Sequence, residues 1–165
     1  MAEINSTIPK LDLSMLRKQR IQIDLGDGRD DHILEINTTD VNVVTRLSDG
    51  YSKLTELDRL TSQLGTAKDI EETDTDETVQ DKLKSFADKL KEIDTKMREA
   101  IDYIFDTNVC EVCCPSGSMY DPIGGKLRYE HIIDALMTLY SDTLSDEMAK
   151  TRDRVKTHTA KYINR

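Results

Sequence analysis

Cys110, Cys113 and Cys114 crowd one short stretch, Cys110-Glu111-Val112-Cys113-Cys114, and are the residues of this chain best equipped for chemistry. Two cysteines with two residues between them can hold zinc or cycle as a dithiol. A tetrahedral zinc site on three thiolates needs a fourth ligand. His131 is the nearest histidine in sequence, and His32 and His158 are remote. Structural zinc sites ordinarily draw on a second short-spaced pair, which the chain lacks, and redox pairs of this kind sit in a βαβ setting, whereas these flanks read as helical. The plain reading is that the thiols pack as small apolar groups at a helix end. Cys110, Cys113, Cys114 and His131 stand as weak metal candidates, and no cofactor is expected.

The other polar clusters carry less. The three histidines are scattered, and no nucleophile–base pair can be assembled from them. Gly26-Asp27-Gly28 and Gly124-Gly125 lack the spacing and the following Lys-Ser/Thr of a phosphate loop, so they read as turns. Asp74 and Asp76 are spaced as in a calcium loop, but the glycine and distal glutamate are missing. The expectation is a protein that is not an enzyme.

The element that must position everything else runs over 76–106. Val79, Leu83, Phe86, Leu90, Ile93, Met97, Ala100 or Ile101, and Ile104 recur at spacings of four and three, a heptad-like stripe on one side of a helix. Glu92 precedes Lys96, and Asp94 precedes Arg98, by one helical turn on what reads as an exposed face. About 30 residues at 1.5 Å each give a helix of roughly 45 Å, too long for one short neighbour to cover.

Around it the chain reads as an arm over 1–19 and a single helical domain over 20–165. Ile21, Ile23 and Leu25 alternate with polar residues, and a second strand follows from His32, so 20–37 is predicted as a β-hairpin with an exposed edge open to pairing between subunits. A helix over 39–65 opens at Thr38-Thr39-Asp40, carries Val44, Leu47, Tyr51, Leu54, Leu57 or Leu60, and Leu64 on one side, and stops at Gly65. Gly50 weakens it by about 1 kcal/mol. Residues 66–77 are an acidic linker whose last acids favour the next helix start. Residues 107–127 are a Cys/Gly/Pro loop. A last helix over 128–162 is expected to break near Ser141–Ser145 and to end in a basic segment. The fold class is therefore mainly α with a small N-terminal β-hairpin: a long antiparallel helical hairpin plus a C-terminal helix.

A third of the 165 residues are charged and the net charge is −9. That balance opposes general nucleic-acid binding, which needs a positive surface. No apolar run reaches a membrane span and no signal peptide is visible, so a cytoplasmic protein is expected.

The order of parts resembles a known family. A short hairpin precedes Asp40-Val41-Asn42-Val43-Val44-Thr45-Arg46. A helix, an acidic gap and a Lys/Glu-rich helix follow, closing in Met97-Arg98-Glu99-Ala100-Ile101-Asp102-Tyr103-Ile104-Phe105 with Cys110 beyond it. A Gly/Pro loop and a helix with a basic Lys161-Tyr162 end complete it. From Ile21 to Tyr162 this is similar to the tail assembly chaperones of long-tailed phages of Gram-positive bacteria. The N-terminal arm and the Cys113-Cys114 doublet lie outside that pattern. The resemblance implies a non-enzymatic factor of the bacterial host cytoplasm that shields the tape-measure protein and helps recruit tail-tube subunits.

On this reading partners bind through Leu83, Phe86, Leu90, Ile93 and Met97, through the acids Asp69, Glu71 and Glu72, and through the bases Lys150, Arg152 and Arg154. A homo-oligomer is compatible with it; nucleic acid and membrane are not expected partners. The basic end either meets the acidic linker of its own chain or a neighbour, or docks on an acidic partner. Two other readings stay open: an acidic counter-defence inhibitor that mimics nucleic acid or binds a nuclease, and a structural or adaptor subunit of the virion.

Overall fold

The computed structural model describes residues 8–64 and 71–163, with side chains up to residue 153. The chain is mainly helical with a small N-terminal hairpin. Strands β1 (Gln19–Gln22) and β2 (Ile33–Ile36) pair antiparallel, Gln19 opposite Ile36 and Gln22 opposite Ile33. Their two-residue period drives Leu34 and Ile36 fully into the core. Ile23 extends the pairing by donating to His32 O at 2.8 Å, while Leu25, expected in the first strand, lies in the connecting loop. Before β1, Ser14–Leu16 forms a single 3-10 turn.

Helix α1 (Asn42–Gln63) starts later than predicted. Thr38 does not cap it; Thr38 is buried and sets its N–H against Gln19 Oε1 at 3.1 Å. Asp40 takes the first-turn amide of Asn42 at 2.9 Å and ion-pairs with Arg46 at 2.7 Å. The buried stripe also differs. Val43, Gly50, Leu54 and Leu57 face the core with Leu47 beside them, whereas Val44 and Tyr51 are 60% and 68% exposed. Gly65 lies outside the described residues.

Helix α2 (Asp76–Phe105) matches the predicted long helix. Thr75 Oγ1 accepts from Thr78 N–H, and Asp76 and Glu77 face the positive end of the dipole. Asp106 ends the helix in the left-handed region, at φ 52°, where Asp is tolerated better than most residues. α1 and α2 pack antiparallel. Arg46 Nε donates to Ile104 O at 2.8 Å near one end, and Leu60 lies across from Lys96 toward the other. At 30 residues against 22, α2 outruns α1 by about 12 Å.

Residues 107–127, expected as a loop, hold a one-turn helix α3 (Val109–Cys113) and a minimal hairpin of β3 (Pro122–Ile123) and β4 (Lys126–Leu127). Gly124 and Gly125, at φ 59° and 85°, supply the paired positive angles of its two-residue turn. Helix α4 (Arg128–Ile163) runs unbroken through Ser141–Ser145. Ser and Asp there lower helix propensity by only fractions of a kcal/mol each, too little to stop a helix already anchored by Leu136 and Tyr140. Tyr140 packs its ring 5.8 Å from that of Phe105, and Tyr129 donates its hydroxyl to Asp58 at 2.7 Å. The first half of α4 thereby closes one side of the α1–α2 pair. Among the described residues no helix is long and apolar enough to cross a membrane.

Candidate functional site

The cysteine stretch is held by a charged pair on α2. Asp94 and Arg98 share an ion pair at 2.8 Å, with side chains only 19% and 26% exposed. They are not the surface pair that their spacing suggested. Asp94 Oδ1 accepts from Met119 N–H at 2.7 Å and Ser118 Oγ at 3.0 Å. Arg98 donates to Cys114 O at 3.0 Å and Gly117 O at 2.8 Å. Burial works against the Asp94 charge, but the bonds from Arg98, Met119 and Ser118 outweigh it and hold its pKa below the ordinary value.

Cys110 and Cys114 are buried and Cys113 is half-buried. Cys110 N–H donates to Asp102 Oδ1 at 2.9 Å. Burial, with Asp102 adding to it, pushes the Cys110 thiol far up. Burial and then the neighbouring Cys114 push Cys113 up to about 11. Cys110 and Cys113 are inert thiols at neutral pH. His131, the proposed fourth ligand, is instead exposed and turned to Ile123 O at 2.7 Å. Among the described residues no three His, Cys, Asp or Glu side chains converge as metal ligands.

The stripe of α2 divides into two parts. Ile93 and Met97, expected to bind a partner, are core residues at 7% and 0% exposure. Toward the N-terminus α1 no longer runs alongside, and the same stripe opens: Leu83 is 50% exposed, and Phe86 and Leu90 are half-buried.

Beside the buried part lies a groove of about 530 Å³ between α1 and α2. It faces away from the side of α1 that carries Asp58 and meets α4. Leu57, Leu60, Ala100 and Tyr103 form its apolar surface. Lys53 and Glu56 on α1, and Lys96 and Glu99 on α2, bring both signs of charge to its rim. Lys53 Nζ sits 5.7 Å from the centre of the Tyr103 ring, a cation–π contact. Tyr103 lies off the predicted stripe of α2, whereas the stripe of α1 admits Leu57 or Leu60 and the groove uses both. That ambiguity was the available signal, because a stripe too wide for one neighbour has room for two.

The charged residues fall apart in space. Asp69 lies outside the described residues, and Glu71 and Glu72 are exposed near the start of α2. Lys150 is exposed and paired with Glu147 at 3.0 Å. Arg152 lines a shallow groove with Thr39, Leu144 and Met148. The side chain of Arg154 is outside the described part. Thr39 precedes α1 and Glu71 follows it, so a whole helix of 22 residues separates Arg152 from Glu71. Within one chain Lys150 and Arg152 do not meet Glu71 or Glu72.

Comparison of the chain with protein-family models, with curated proteins and with solved structures finds no match.

Proposed function

We propose that this protein acts by binding, as a tail-assembly-chaperone type factor that covers the apolar face of a long helical client. The observation that carries the reading is the apolar groove between α1 and α2; nearer the N-terminus of α2, on the adjoining face that carries Ile93 and Met97, the open stripe at Leu90, Phe86 and Leu83 adds a second apolar surface. A groove with an apolar floor and a charged rim fits the stripe of an amphipathic helix. Together the two surfaces extend along α2 from Tyr103 to Leu83, about 30 Å, which suits a client longer than a single domain. The net charge of −9 keeps a loaded complex dispersed. A phage tape-measure protein has the form of such a client, and tail-tube subunits would then receive it.

The test is affinity capture from phage-producing cells, with the partners identified by mass. A very long helical protein that is captured by the parent and lost from Leu60→Glu supports the reading. Capture of a nuclease moves the assignment to a counter-defence inhibitor. Retention of the chain in purified particles moves it to a virion subunit.

A further inference from the structure

The hairpin has one closed edge and one open edge. Ile23 hydrogen-bonds to His32, so in the same register Gln19, Ile21 and Ile23 turn their N–H and C=O groups toward β2, while Arg20 and Gln22 turn theirs away. On β2 the outward carbonyl of Glu35 is taken by Thr107 Oγ1 at 2.7 Å. On β1, among the described residues, no backbone group meets the outward N–H and C=O of Arg20 and Gln22. Such an edge is a template for another strand.

We infer that two copies of this chain meet here, β1 against β1 antiparallel about a two-fold axis at Ile21. The strand is complementary to itself in that register. Arg20 falls opposite Gln22 of the second copy, and Gln22 opposite its Arg20, so the open donors and acceptors satisfy one another reciprocally. Lys18 falls opposite Asp24, and the two-fold repeats that opposite-charge pair on the solvent face. Both residues are exposed. Lys18 already donates to Asp106 O at 2.8 Å, and Asp24 Oδ1 accepts from Gly26 N–H at 2.8 Å. Each keeps capacity to spare, because an ammonium has three donors and a carboxylate two oxygens. Half-buried Ile21 meets its own copy on the other face.

Four residues of pairing are marginal alone. The segment leading into β1 supplies more: Leu13, Met15 and Leu16 are 53%, 84% and 68% exposed, a density of bare apolar side chains that marks interaction surfaces. An unrelated extended peptide would match the Lys18 and Asp24 positions only by chance, whereas a second β1 matches both. A two-fold contact also closes, so assembly stops at the dimer.

The test joins light scattering across the micromolar range to hydrogen exchange of individual amides. The expected result is a concentration-dependent dimer in which the Arg20 and Gln22 amides slow by about tenfold or more relative to the monomer. Gln22→Pro removes an amide that faces away from β2, so it spares the hairpin ladder and gives a monomer with unchanged circular dichroism. A monomer at every concentration overturns the proposal, including one whose amides slow only when another protein is added. So does a dimer in which these two amides exchange at the monomer rate, or one that survives Gln22→Pro. Should Gln22→Pro fail to fold, the amide rates of the parent protein decide alone.

Discussion

Gly50 of α1 sits directly against Ile104 of α2: a Cβ at position 50 would lie 2.9 Å from Ile104 Cγ1 and 3.0 Å from its Cδ1. The glycine that weakens α1 in isolation is what lets the two helices approach. Ile104 is fully buried and has little room to yield. Gly50→Ala gains about 1 kcal/mol of helix propensity and loses more to overpacking, for a net loss of about 1 kcal/mol; Gly50→Val loses about 3 kcal/mol. In chemical denaturation, combining Gly50→Ala with Ile104→Val should cost less than the sum of the two single changes.

Asp94 ties the acid side of the stability profile to the loop it holds. Its folded pKa lies below its ordinary value of 3.8. Its contribution is therefore complete above that value and is lost as pH falls from about 4 through the lower folded pKa. Asp94→Asn should lose about 2 kcal/mol at pH 7 and show a flatter stability curve below pH 5 than the parent, measured by urea denaturation across pH.

The thiols give a second pH readout. At pH 8 a maleimide should leave Cys110 unmodified and label Cys113 slowly, since burial holds Cys113 at about 11. Labelling of Cys113 should accelerate as pH rises toward that value, and unfolding in guanidinium should equalise the two. Rapid labelling of Cys110 in the native protein at pH 8 would contradict the packing described.

Tyr140 carries a buried hydroxyl with no hydrogen-bond partner among the described residues. Tyr140→Phe keeps the contact with Phe105 and removes an unsatisfied polar atom. Thermal denaturation should show stability unchanged or raised by up to about 1 kcal/mol.

The two parts of α2 predict opposite responses to the same change. Leu83→Asp, at a side chain already half in solvent, should cost less than about 1 kcal/mol. Met97→Asp, at 0% exposure, buries an unpaired charge and should cost about 3–5 kcal/mol or abolish folding. Leu90→Asp should fall between them.

How far the fold could be read in advance follows from where its determinants lie. The long helix was legible because its stripe, the missing breakers and the acids Asp76 and Glu77 at its start all sit within one segment. The face of α1 was not, since two adjacent stripes fit, Val43 and Val44 are equivalent, and Tyr51 is larger than Gly50; only the approach of Ile104 selects the glycine. Asp94 and Arg98 read as a surface pair because the residues they hold, Cys114 to Met119, come 16 to 25 positions later. The groove needs both helices in place before it exists. The hairpin's open edge, by contrast, was visible in its period of two.

The most direct test of the binding surface is photocrosslinking in phage-producing cells, with a crosslinking phenylalanine analogue at Tyr103 in one variant and at exposed Thr138 of α4 in another. A covalent adduct with a very long helical protein is expected from position 103 and none from position 138. Equal adducts from both positions, or none from position 103 while the complex still forms, would contradict the proposed surface.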